Sequence, residues 1–250
     1  MKLLKIAAIV SAAVLGVMPA LAQNPVIDGL VADMVTVQGG IFTMGSTLPD
    51  AYPDEAPAHQ VTVSAFKIGR YEVTQQQWQA VMGENPSDVK ADSLPVNNVS
   101  WDDCQEFISR LNQLTGCRFR LPTEAEWEFA ARGGNQSSDY EYAGSNKLAD
   151  VAWFADNAQG LAPHAVGKKA PNELGLFDMS GNVGEWVQDW YGDYSSEPQI
   201  NPQGAAGGAA HVTRGGAIDC TPADCTVTVR GIGPDGRYIS IGLRLAQSIR

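Results

Sequence analysis

The chain has 250 residues, with 17 Lys and Arg against 28 Asp and Glu, a formal net charge of −11 and four cysteines. That acidity excludes nucleic acid and anionic membrane surfaces as partners, since both carry the same sign of charge. The length suits one large domain, and no charge run, low-complexity block or repeat divides it; Asn201–Ala210 reads as a surface loop.

Residues 1–22 read as a secretory signal peptide: Lys2 and Lys5, an apolar run from Ile6 to Met18, and Ala20-Leu-Ala22 as a cleavage site. The apolar run is too short for a dedicated membrane span. The expectation is an exported monomer, periplasmic or secreted, with no stable membrane span, whose residues 23–33 form a flexible entry to a domain over 34–250. An oxidising compartment makes an even cysteine count a disulfide signal. Of the three connectivities, Cys104–Cys117 with Cys220–Cys225 is the simplest.

Met34–Met44 reads as two short strands around a Gly39-Gly40 hairpin turn. Residues 47–58 form a loop with Pro49, Pro53 and Pro57, and His59–Val73 alternates as one strand with an exposed face. Lone His59 is expected to be a surface or loop residue rather than a ligand. Thr74 can cap a helix that Gly83 stops. Ser100-Trp-Asp-Asp103 is a capping box opening a helix with Trp101, Cys104, Phe107, Ile108, Leu111 and Leu114 on one face, ended by Gly116. Thr123-Glu-Ala-Glu126 is a second box, and Glu124, Glu126 and Glu128 suit a helix start. Residues 135–169 are aperiodic, as functional or cation-supported loops are. Strands are expected at 211–217, 226–230 and 239–246, with Cys220–Cys225 as a turn.

The central stretch is 172–190. It shows no helical or strand period, yet holds two tryptophans, four acidic residues and three glycines. Asp178, Asn182 and Glu185 on a Gly-rich turn are suited to a hard cation bound through carboxylate and backbone oxygens. The same residues also suit a tight turn whose side chains cap neighbouring amides.

Val35-Thr-Val-Gln-Gly-Gly-Ile-Phe-Thr-Met-Gly45, Tyr71-Glu-Val-Thr74, Pro95-Val-Asn-Asn-Val-Ser-Trp101 and Arg120-Leu-Pro-Thr-Glu-Ala-Glu-Trp-Glu128 carry a resemblance. It continues through Asn172-Glu-Leu-Gly-Leu-Phe-Asp178, Ser180-Gly-Asn-Val-Gly-Glu-Trp186, Arg214-Gly-Gly216 and Ile241-Gly-Leu-Arg244. The chain resembles the formylglycine-generating enzyme, or sulfatase-modifying factor, family. The resemblance implies an α+β, loop-rich, C-type-lectin-like single domain. It also implies Ca²⁺ held by Asp178, the carbonyls of Gly181 and Val183, and Glu185, with a second Ca²⁺ near Asp150, Val151 and Asp156. Cys220 and Cys225 match the oxidases' Cu(I)-binding, catalytic pair, and soft thiolates suit Cu(I); a disulfide in the same loop is the competing reading.

The resemblance does not choose a function. Family members include copper-dependent oxidases that mature sulfatases, proteins that tailor siderophores, secretion-system accessory proteins and iron enzymes. Ala217, Gly184 and Thr221 stand where the oxidases carry serine, tryptophan and often histidine, which implies a wider, less polar pocket. His59, His164 and His211 are isolated in sequence, against an iron site. The readings are a copper-dependent oxidase acting on a protein cysteine or other exported substrate, a siderophore-tailoring oxidase, or a non-catalytic, calcium-stabilised accessory protein that docks an exported protein or peptide.

Overall fold

The computed structural model describes residues 24–249, so the expected signal peptide lies outside them. In chain order the elements are α1 (Pro25–Ala32), β1 (Met34–Val37), β2 (Gly40–Met44), β3 (His59–Val63), β4 (Phe66–Gly69), α2 (Gln75–Met82), α3 (Trp101–Thr115), β5 (Phe119–Arg120) and α4 (Glu124–Ala131). There follow α5 (Leu148–Val151), β6 (Gly184–Trp190), β7 (Gln199–Ile200), β8 (His211–Arg214), β9 (Arg230–Ile232), β10 (Ile241–Leu243) and β11 (Ala246–Ser248), with short 3₁₀ turns between.

Caps set the helix boundaries. The Asn24 side chain accepts from Val26 N–H, Pro25 occupies the first turn, and Ile27 and Leu30 enter the core. The expected flexible entry is therefore a docked helix, held by two apolar side chains one turn apart. α2, α3 and α4 open on capping boxes at Thr74/Gln77, Ser100/Asp103 and Thr123/Glu126; Gly83 and Gly116 end the first two in the left-handed conformation. Cys104, Phe107, Ile108 and Leu111 of α3 are buried, and Phe107 stacks on Trp78 with ring centres 4.9 Å apart. Leu114 is exposed instead of joining that face.

The strands form three sheets, ordered β1-β4-β11-β5, β10-β6-β8-β9 and β2-β3-β7. The expected Gly39-Gly40 hairpin does not form: β1 pairs with β4 while β2 pairs with β3. Residues 59–73 likewise divide at Ser64-Ala65 into β3 and β4, in different sheets. Residues 239–246 divide into β10 and the start of β11, and only Arg230 of the strand expected at 226–230 is in β9. A chain switching sheets keeps its alternation, so the pattern carries no sign of the break.

The stretch 172–190 ends in β6, the inner strand between β8 and β10. Gly184, Glu185, Trp186 and Val187 are all buried. Both faces of β6 are covered, so it has no alternation to display. His59, expected to be a surface or loop residue, is also buried; its Nδ1 lies 3.0 Å from Pro57 O and its ring lies edge-on to Tyr194.

Two apolar cores flank the middle sheet. One gathers α1, α2 and α3 with Trp186 and Leu243; the other gathers α4 with Phe66, Leu176, Met179 and Val212. Cys104 and Cys117 both pack on the first core, but all four cysteines are free thiols, so neither expected disulfide is formed. Among the described residues no helix is long and apolar enough to cross a membrane.

Candidate functional site

The loop 178–183 leads into β6 through three left-handed residues: Asp178 (φ 57°), Gly181 (φ 76°) and Asn182 (φ 61°). Asp and Asn are the non-glycine residues that visit this region most readily. Backbone bonds pin the loop on both sides: Gly181 N–H donates to Gly215 O at 2.8 Å, Asn182 N–H to Trp153 O at 2.8 Å, and Ile218 N–H to Asn182 O at 3.1 Å. The Ser180 hydroxyl donates to Cys225 O at 2.8 Å. One loop therefore joins the carboxylate site to the cysteine segment.

Behind the loop lie three buried carboxylates, Glu72, Asp178 and Glu185, and one buried guanidinium, Arg244. Glu185 is fully engaged. Its Oε2 accepts from Trp127 Nε1 at 2.7 Å, and Arg244 donates to both oxygens at 2.6–3.0 Å. Arg244 also donates to Gly69 O and Phe177 O, at 3.0 and 2.9 Å. Glu72 accepts from Asn182 Nδ2 at 2.7 Å and Val183 N–H at 3.1 Å, one bond per oxygen. Asp178 Oδ2 accepts from Gly167 N–H at 2.7 Å, but its Oδ1 is buried with no partner. Burial raises the pKa of Glu72 well above the ordinary carboxylate range, helped by Asp178 and Glu185; burial likewise raises Asp178.

The fit to Ca²⁺ is thus partial and differs from the expectation. Asp178 supplies a free oxygen, and Glu72 retains a spare lone pair on each oxygen. Glu185 has none, because a guanidinium and an indole saturate it. At the weaker second site, Asp150 lies half-exposed against Lys147, with Nζ 3.2 Å away, and Val151 is buried among apolar residues. Among the described residues no three His, Cys, Asp or Glu side chains cluster closely enough to share a metal.

Gly215 and Gly216 turn the chain into the cysteine segment with φ 94° and 69°. A Cβ on Gly216 would sit 2.8 Å from Cys225 Sγ, so only glycine lets this backbone lie against the thiol. Cys225 is fully buried and Cys220 half-buried. Burial raises both thiol pKa values, and Asp219 and Asp224 raise them further. Asp224 caps Thr221 and accepts from Tyr52 Oη at 2.9 Å; Ser240 Oγ donates to Asp219 at 2.6 Å. Ala217 and Gly184 are both buried, and neither lines the cavity of about 530 Å³ or that of about 130 Å³. The two thiols have the right donor type for Cu(I), but their surroundings favour the protonated form.

Sequence reading missed a second buried ion network. Glu128 pairs with Arg214 and Arg132, and Glu124 pairs with Arg230 at 2.7 Å; Arg230 also lies over Tyr194, 4.0 Å from the ring centre. The expectation for Glu124 and Glu128 was helix-start electrostatics, whereas both are buried ligands of arginines more than 80 residues away in sequence. The one available signal was their spacing of four, which puts both on one helix face. Beside them Asp189 caps α4 by accepting from Glu124 N–H at 2.9 Å, and burial, then Glu124, push its pKa up to about 7. A carboxyl raised in the folded state contributes most below its unfolded pKa of about 3.9, and that contribution is lost as pH rises to about 7. Asp189→Asn keeps the accepting oxygen and removes the charge. It should raise the melting temperature at pH 8 and leave it unchanged at pH 4 in paired melts.

His211 lies between Trp101 and Trp190, with ring centres 3.9 and 3.7 Å away, and His164 stacks on Trp153 at 3.8 Å. Burial lowers the His211 pKa. No histidine neighbours another in a ligand set, so the structure offers no multi-histidine metal site among the described residues.

Known proteins resemble this chain in sequence and in fold. The chain is 32% identical to the chaperone protein LppX of Paenibacillus barcinonensis, over 86% of this chain and 89% of that one. It is 30% identical to the formylglycine-generating enzyme of Thermomonospora curvata, over 85% of this chain and 92% of that one. The solved structure of Treponema denticola variable protein 1 superposes with a TM-score of 0.79 at 31% identity, covering 86% of this chain and 94% of that one. The sulfatase-modifying factor enzyme 1-like domain matches residues 20–249, and the chain belongs to that family.

Proposed function

We propose that the protein is an exported, monomeric accessory protein that docks another exported protein or peptide and performs no oxidation itself. One observation carries this reading. Of the pair that a copper oxidase needs as accessible thiolates, Cys225 is fully buried and Cys220 half-buried, Asp219 and Asp224 flank them, and the pKa is raised at both sulfurs. The likeness to a protein named as a chaperone supports the same side. The test is native alkylation with intact mass, followed by Cu(I) titration of the reduced protein. The expected result is slow alkylation of Cys225 and no tight one-to-one copper complex. Tight binding of one Cu(I), lost in Cys220→Ser, would overturn it.

A copper-dependent oxidase is the second reading, favoured by the unbridged state of Cys220 and Cys225 and by Cys225 lying against Gly216. Both readings share a stabilising Ca²⁺. We infer that it is held by Asp178, by the carbonyls of Gly181 and Val183, and by Glu72 in the role first given to Glu185. The buried, unpartnered Oδ1 of Asp178 motivates the assignment. A ligand that binds only the folded state stabilises by about 2.7 kcal/mol at a hundredfold excess over Kd. Chelation should therefore lower the melting temperature by several degrees, and Asp178→Asn should abolish the response. A chelator-insensitive melt with no calcium by elemental analysis would sink the assignment.

A further inference from the structure

The cavity of about 130 Å³ includes no residue of the loop 178–183 and none of the cysteine segment. It opens between the end of the β2–β3 pair at Met44 and His59, the first turn of α4, and the chain from Asp189 to Ala205. It is smaller than a pocket for a whole drug-sized ligand, so it suits one small group. Three carboxylates line it, Glu124, Asp189 and Asp193, against one guanidinium, Arg230.

Part of that lining is already committed. Arg230 donates to both oxygens of Glu124, at 2.7 and 3.0 Å, and to Asp54 O and Gly192 O, at 3.1 and 3.0 Å. Tyr194 Oη donates to Glu124 Oε1 at 3.1 Å. Two buried acceptors remain. Asp189 is 2% exposed; its Oδ2 takes the Glu124 N–H, and among the described residues its Oδ1 has no hydrogen-bond partner. His59 is 5% exposed, with Nδ1 beside Pro57 O. A carbonyl only accepts, so Nδ1 carries the proton, and Nε2 of the neutral ring presents a lone pair that no described residue fills. Gly204 lies over Asp189 at φ 74°, and a Cβ there would sit 2.9 Å from Oδ1, so glycine leaves that oxygen uncovered. Buried acceptors left without donors are costly. With Glu124 and Arg230 cancelling, Asp189 and the exposed Asp193 leave the cavity negative.

We propose that this cavity binds a primary alkylammonium group, carried by a free amine or by a lysine side chain. A guanidinium prefers a carboxylate with both oxygens open, to pair two parallel N–H donors. Asp189 has one oxygen taken by the helix. An ammonium is a compact point charge whose three donors rotate toward separate acceptors, here a single carboxylate oxygen and an imidazole nitrogen. The aromatic face that a guanidinium would use, Tyr194, is already covered by Arg230. The inference needs neither calcium nor copper, and it stands or fails separately from the accessory reading.

The probe is n-butylamine, with 1-butanol as its neutral isostere, titrated by NMR into the full-length protein at pH 8, above the Asp189 pKa of about 7. Butylammonium should bind at least about tenfold more tightly, a difference of about 1.4 kcal/mol, and should weaken as salt rises. Butyltrimethylammonium, which has no N–H donor, should not displace it. Asp189→Asn keeps an oxygen for the Glu124 amide, puts an amide nitrogen in place of Oδ1, and should erase the preference. Asp193→Asn, at the exposed mouth, should reduce it severalfold and serves if Asp189→Asn does not fold. N-acetyl-lysine amide separates the two sources: binding as tight as that of butylammonium assigns the cavity to a side chain, and exclusion assigns it to a free amine. Equal binding of butylammonium and butanol, no binding of either, or an unchanged preference in a folded variant would each overturn the proposal.

Discussion

Arg244→Met should destabilise the protein by roughly 3–5 kcal/mol, because removing one member of a buried pair leaves the other charge uncompensated. For a domain of this size that is roughly a 6–20 °C drop in melting temperature. The effect should sit at the top of the range. Arg244 is fully buried and donates to Glu185, Gly69 O and Phe177 O, tying β4, β6 and the loop before Asp178 together. Without it, Glu72, Asp178 and Glu185 are three buried carboxylates with no guanidinium among them. Glu185→Gln in the same background should recover part of the loss, since the two residues act as one unit. Thermal melts of the two single variants and the double variant check this. Additive losses would show that Arg244 acts through packing alone.

Much of the fold was legible in the residues, and the reason is local. Thr74, Ser100 and Thr123 each accept an orphan amide within three residues, so the capping boxes could be read without knowing the tertiary structure. The family phrases located the site loop for the same reason: Asp178, Gly181 and Asn182 carry their unusual backbone angles in their own residue types. What could not be read is set by partners distant in sequence. β1 and β2 look like a hairpin until the pairing of Val35 with Ile68 and of Phe42 with Val61 shows two sheets. The role of Glu185 changes because Arg244, 59 residues later, saturates it. Glu72 entered no expectation, although it anchors the site loop through Asn182 and Val183. The sequence shows it only as the acid in Tyr71-Glu-Val-Thr74 before a helix cap.

In that same loop a single methyl group should be strongly destabilising. Gly181→Ala meets two penalties at once. At φ 76° an L-residue with a Cβ is strained by roughly 1–2 kcal/mol. The added Cβ would also collide with Trp153 O and crowd Ala152 Cβ, and such overpacking costs about 1–3 kcal/mol. The obstructing oxygen cannot swing away like a side chain, because it accepts the Asn182 N–H at 2.8 Å and anchors the loop. Relief requires opening that bond, which also displaces Asn182 from Glu72. The expected total is about 3–5 kcal/mol, and the response to calcium chelation should be lost in the same variant, since Asp178 and Glu72 are held apart or together by this turn. Gly83→Ala is the matched control: φ is 85° but nothing lies within 4 Å of its Cβ position. It should pay the backbone strain alone, about 1–2 kcal/mol, and keep the chelator response. Equal losses in the two variants would mean that the contact with Trp153 is relieved by loop movement and that the site tolerates it.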